Sequence, residues 1–137
     1  MSESRVKISE KIAEKKRKMF EVIVKQLCNS SLMVILFGSR AKGLETPLSD
    51  YDLLVVERDS VEEAPVIQWP AQIFKYGLDS VREGIRSLNT IILDALIDGK
   101  VLCGDADLFQ QLRRQAEETV KMRRIVRRGL GWVPEQP

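Results

Sequence analysis

The sequence contains no histidine. That absence removes a histidine general base, a serine–histidine–aspartate triad and a histidine zinc site together. Acid–base or metal chemistry must therefore rest on carboxylates, whose hard oxygens suit magnesium or manganese. Long apolar runs are missing too. Residues 32–37 form the longest candidate, far short of the ~20 residues that cross a bilayer. The first eighteen residues are polar and basic with no apolar stretch, so a secretory signal is not expected. A cytosolic (cytoplasmic) protein with no membrane association is expected. Only two cysteines occur, Cys28 and Cys103. They read as two small buried apolar side chains, with a disulfide left open.

What remains is enough for one domain. The chain has 137 residues, 44% of them hydrophobic and 31% charged, which provides a core and a well-solvated surface. The net charge of +2 is unevenly spread. Residues 1–28 carry eight basic and four acidic side chains, residues 29–110 seven and thirteen, and residues 111–137 seven and three. An acidic centre suits a divalent cation. The basic ends read first as solvated helix faces, and second as surfaces for an acidic partner or nucleic acid.

The chain order is read as α-β-α-β-β-α-α-β-α, an α/β (α+β) domain around one sheet. Residues 8–28 have helical spacing of Ile8, Ile12, Met19, Ile23 and Leu27, with Ser9 as a cap. Residues 32–37 suit a strand covered on both faces. Gly38-Ser39 ends it, Ser39-Arg40-Ala41-Lys42 begins a short helix, and residues 45–49 form a loop. Residues 51–57 make a second strand and residues 71–76 a third, after a polar loop over 58–65 and a stretch that Pro65 and Pro70 make irregular or edge-like. Ser80 to Glu83 has the form of a capping box. A helix over 88–98 stops at Gly99 through a left-handed conformation. A short strand follows over 100–103, and Asp105 caps a basic C-terminal helix, about 105–128. The later glycines and prolines then end the ordered chain.

Two features carry chemistry. Alternate side chains of a strand point the same way, so Asp50 and Asp52 project together at the head of an apolar strand. Two adjacent anions there repel and are costly to desolvate, and a divalent cation reverses that penalty. At Gly38-Ser39 a strand runs into a turn. Glycine lets a phosphate approach the backbone, and the Ser39 hydroxyl can donate to it. Arg40 and Lys42 lie nearby as charge partners. A metal-bound nucleoside triphosphate would bridge the two features.

The segment Leu36-Phe37-Gly38-Ser39-Arg40-Ala41-Lys42-Gly43, followed by Ser49-Asp50-Tyr51-Asp52-Leu53-Leu54-Val55, resembles the signature of the minimal nucleotidyltransferases of the DNA polymerase beta superfamily. Their pattern is Gly-Ser, ten residues, then Asp-x-Asp. The resemblance is strong over residues 35–56 and extends over roughly 20–110, including Leu93 to Leu102. It implies one nucleotidyltransferase-like domain over 1–137 with a short mixed sheet flanked by helices. Asp50 and Asp52 would be catalytic metal ligands for Mg²⁺ or Mn²⁺, and Gly38, Ser39 and Arg40 would hold the nucleoside triphosphate. The implied reaction moves a nucleoside monophosphate to a hydroxyl and releases pyrophosphate. The resemblance also implies a HEPN-domain protein as partner in a toxin–antitoxin pair, carrying that hydroxyl.

One position departs from the pattern. The family's third carboxylate would fall on the strand at 71–76, where Gln72 stands. A neutral amide is a poor base and adds no charge. This opens an alternative, a nucleotide- or partner-binding module that is catalytically weak or inactive. Asp79 reads as a helix cap, and Asp94 and Asp98 as solvated helix residues. Trp69 and Trp132 read as packing or partner residues. Lys121 to Arg128 holds five basic residues on a helix end without interleaved aromatics, so single-strand stacking is not expected. A nucleic-acid ligand ranks behind a protein partner, and a homo-oligomer stays open.

Overall fold

In the computed structural model, which describes residues 3–46, 49–129 and 131–136, helix α1 (Glu3–Cys28) leads into strand β1 (Met33–Phe37). Then come β2 (Tyr51–Glu57), β3 (Val66–Gln68), β4 (Ala71–Gly77), α2 (Leu78–Arg86), α3 (Thr90–Asp98), β5 (Lys100–Gly104) and α4 (Ala106–Met122). A hairpin of β6 (Ile125–Arg128) and β7 (Gly131–Pro134) closes the chain. Pro47 and Leu48 of the expected 45–49 loop lie outside the described residues, as does Leu130 of the expected glycine-rich ending.

The sheet order is β3-β4-β2-β1-β5. β2 and β4 run parallel and the other pairs are antiparallel. Leu53 to Val56 are fully buried because both faces are covered, as a continuous apolar strand requires. One face, with Met33, Ile35, Leu54 and Val56, packs against Val81, Ile85, Ile92, Leu93, Leu96 and Leu112 of α2, α3 and α4. The other, with Val34, Tyr51, Leu53, Val55 and Ile73, packs against Phe20, Ile23, Val24 and Leu27 of α1. The mixed α/β architecture is the expected one.

Several expectations are corrected. α1 begins at Glu3, so Ser9 lies inside it rather than at a cap. Its inward stripe is Lys16, Phe20, Ile23 and Leu27, while Ile8 and Met19 are exposed. Residues 16, 20, 23 and 27 keep helical spacing, and the stripe that meets the sheet includes a lysine. Ser39 to Lys42 does not open a helix. Ala41 and Lys42 donate their N–H groups to the Gly38 carbonyl, Leu44 donates to that of Ser39, and Gly43 at φ +72° ends the turn. α2 starts at Leu78 after Gly77, so Ser80 and Asp79 lie within it and form no cap. Gly99 is extended, not left-handed. It is required because a Cβ there would lie 2.1 Å from the Ala95 carbonyl oxygen. Asp105 does cap α4, accepting from Leu108 N–H at 3.0 Å. The basic helix expected to reach Arg128 stops at Met122, and Arg124 at φ 54° turns the chain into β6. The stretch read as irregular or edge-like does hold a strand, β3, exposed and at the edge of the sheet.

The cysteines are not two separate apolar residues. The end of α1 meets β5 on the α1 side of the sheet, and Cys28 and Cys103 form a disulfide across Cα atoms 6.1 Å apart, within bonding range. Among the described residues no helix is long and apolar enough to cross a membrane.

Candidate nucleotide and metal site

The turn after β1 and the head of β2 meet because β1 and β2 pair in register, with Phe37 opposite Asp52. Gly38 has φ +76°, and a Cβ there would overlap the Asp52 carboxylate. Asp52 therefore lies directly over the glycine backbone. Only glycine supplies both the left-handed conformation and the space.

Asp52 is half-buried, and burial raises its carboxyl above the ordinary carboxylate range. The neighbouring charge of Asp50 adds to the rise. Both causes disfavour the anion, and both are what a bound cation relieves. Gln72 is the direct partner of Asp52 across the parallel β2–β4 pair. Alternation along β4 puts it on the Asp52 face, because Ala71 and Ile73 face α1. The strand position next to Asp52 thus carries an amide. Among the described residues no group of three or more carboxylate, cysteine or histidine side chains is placed to hold a metal. Two carboxylates alone fit a magnesium or manganese ion that arrives with phosphate oxygens completing its shell.

Two residues shape this end of the molecule from the α1 side. The Arg40 guanidinium donates to the Ser49 carbonyl from Nε at 3.1 Å and Nη2 at 2.7 Å. It also lies 3.9 Å over the Tyr51 ring, whose other partner is the stacked ring of Phe20 at 3.8 Å. Arg40 thereby ties the start of the ten-residue loop to its end. Lys16 of α1 reaches the same place. Its Nζ donates to Asp50 Oδ1 at 3.1 Å and to the Ser49 carbonyl at 3.4 Å, and lies 5.9 Å from the Trp69 ring. The Lys16 side chain is 5% exposed and that of Asp50 57%. Sequence reading missed Lys16. The available signal was its place on the buried stripe of α1, where an unpaired ammonium is not tolerated.

Asp94 and Asp98 are not solvated helix residues. Arg127 of β6 pairs with both, Trp132 Nε1 donates to Asp94 at 2.9 Å, and Lys42 Nζ lies 3.9 Å from Asp98. The Arg127 guanidinium also lies over the Trp132 ring. The hairpin that sequence reading took for a helix end is what supplies these partners. Asp79 lies in the first turn of α2.

The model of the nucleotidyltransferase domain family matches residues 17–127, and the chain belongs to that family. A nucleotidyltransferase-like protein from Exiguobacterium sibiricum has a similar crystal structure, with a TM-score of 0.50 and 14% identity over 77% of this chain and 38% of that one. The chain therefore spans about two fifths of the length of that structure. Weaker likenesses are a chain of a toxin–antitoxin crystal structure with AMP-PNP and one of a tri-AMPylated Shewanella oneidensis HEPN toxin in complex with its MNT antitoxin. The first has a TM-score of 0.48 and 18% identity over 78% of this chain and 85% of that one. The second has a TM-score of 0.42 and 15% identity over 80% and 85%. Comparison with curated proteins gave no match.

Proposed function

We propose that the protein binds a nucleoside triphosphate with Mg²⁺ or Mn²⁺ between the Gly38-Ser39 turn and the Asp50–Asp52 pair, and transfers the nucleoside monophosphate to a hydroxyl. The observation that carries this reading is the overlap at Gly38. The Asp52 carboxylate lies against the Gly38 turn, and this contact supports a ligand that spans the turn and the carboxylate pair. The Gly38 and Ser39 backbone and the Ser39 hydroxyl would hold phosphate oxygens. Asp50 and Asp52 would hold the ion, with Arg40 beside them keeping the intervening loop closed. The ion, when bound, supplies charge stabilisation to the triphosphate. The attacking hydroxyl gives up its proton to solvent and forms a bond to the α-phosphorus in line as the bond to the pyrophosphate oxygen breaks.

The motif over residues 35–56 resembles that of minimal nucleotidyltransferases, and a HEPN-domain protein is the acceptor and partner this reading names. Incubation with labelled ATP, Mg²⁺ and such a partner is expected to label the partner, with label lost in Asp52→Asn. Absence of transfer to a fair panel of acceptors would overturn the enzymatic reading. One observation favours a second reading. Gln72 stands directly beside Asp52, where a third acid would stand, and an amide neither accepts the hydroxyl proton nor adds charge. A nucleotide- or partner-binding module without turnover predicts ATP binding without transfer.

A further inference from the structure

The Lys16–Asp50 pair unites a well-buried ammonium with a half-exposed carboxylate, 34 residues apart in sequence. The ammonium is fixed from several sides. α1 packs along the sheet through Phe20, Ile23 and Leu27, the Ser49 carbonyl accepts from Nζ, and the Trp69 ring lies within cation–π range. Lys16 is therefore placed by the fold and does not drift onto Asp50 from solvent. The only residues the motif supplies toward a cation are Asp50 and Asp52, and Gln72 adds no charge. With Lys16 included, the formal charge of this group is −1 when both carboxylates are ionised, against −2 without it.

We infer that Lys16 holds the charge position a free divalent ion would need at Asp50, so that the site takes its metal together with the nucleotide and not before it. This rests on the metal–nucleotide reading above. A divalent ion approaching Asp50 alone must displace the ammonium from Oδ1 or share the carboxylate with it, and either is opposed by like-charge repulsion at close range. A triphosphate changes the balance. It adds negative charge beside Asp50 and brings oxygens that complete the ion's shell, and the displaced ammonium gains an anionic neighbour. Lys16 is in this sense a positioning residue acting through Asp50.

The test is Mn²⁺ binding, followed by electron paramagnetic resonance of the free ion, with the full chain and no nucleotide. Lys16→Met keeps a long apolar stem without the charge, and its Kd for Mn²⁺ is expected to be at least about tenfold tighter than that of the parent. Asp50→Asn added to Lys16→Met is expected to remove the gain. Lys16→Arg, which keeps the charge, is expected to stay near the parent. Circular dichroism checks the fold of each variant, and Lys16→Gln serves if the Met variant does not fold. The parent chain gives an independent arm, in which Mn²⁺ alone is expected to bind at least about tenfold more weakly than Mn²⁺ with a non-hydrolysable ATP analogue. Unchanged or weaker Mn²⁺ affinity in a folded Lys16→Met or Lys16→Gln chain overturns the inference, as does a gain that survives Asp50→Asn. If the parent still binds the analogue with Mn²⁺ in that case, the site reading stands and only the role of Lys16 falls. If it binds no nucleotide with or without metal, both fall.

Discussion

Asp50 and Asp52 lie two residues apart at the head of β2, and Asp94 and Asp98 lie one helical turn apart on α3. The second pair is closed. One guanidinium bridges both carboxylates, an indole donates to Asp94, and Lys42 stands by Asp98. The first pair is open on one side. Asp50 has Lys16, but Asp52 sits over a bare glycine beside an amide, with its carboxyl raised by burial and by Asp50. The chain thus neutralises one acidic pair with its own side chains and leaves the other incompletely compensated. Perturbed carboxylates are where ligands are sought, and satisfied networks are where folds are held.

Breaking each pair separately sharpens the contrast. Asp50→Asn or Asp52→Asn is expected to lower label transfer by about 100-fold or more, because ions held by carboxylates supply much of the barrier reduction in such reactions. Transfer assays on purified variants check it, and wild-type rates would merge the two pairs into one structural class. Arg127→Met is expected to cost about 2 kcal/mol of stability in urea unfolding. That is below the fully buried range because the partners are partly exposed. Its nucleotide affinity is expected to stay near that of the parent. Gly38→Ala combines a left-handed backbone with the overlap on Asp52, and a loss of about 1–2 kcal/mol with weakened ATP binding is expected. Calorimetry of unfolding and of binding measures both.

The smallest effect has an instructive sign. A raised carboxyl favours the folded state only while protonated, so its contribution is full below the unfolded-state value and is lost as pH rises through the raised one. At neutral pH the ionised Asp52 therefore lowers stability. Asp52→Asn is expected to melt a few degrees higher than the parent at pH 7, with the gap shrinking in acid. A lower melting temperature at pH 7 would contradict the half-buried, cation-seeking account of Asp52.

Local patterns made part of this visible in advance. The apolar runs at 32–37 and 51–57 and the glycine between them place β1, β2 and the turn, and the strand period puts Gln72 beside Asp52 once β4 is paired with β2. Other features depend on partners far along the chain. Lys16 reads as one more charge on a basic helix until α1 is laid on the sheet. Asp94 and Asp98 read as solvated until the β6–β7 hairpin folds back, and that hairpin hides in a run of basic residues that helical patterning continues past Met122. Arg40, expected beside phosphate, is placed on the Ser49 carbonyl and the Tyr51 ring. The Cys28–Cys103 link has the same character, since only the meeting of α1 with β5 decides it.

Helix α1 is also a lever. The ammonium of Lys16 and the buried side chain of Ile23 ride on the same rigid rod, seven residues or roughly 10 Å apart along its axis. A substitution at Ile23 that tilts the helix would move Lys16 with it, and so the contact to Asp50. Sequence drift in the apolar interior of this protein can thus shift the Lys16–Asp50 contact without changing a residue of the Gly-Ser or Asp-x-Asp motif.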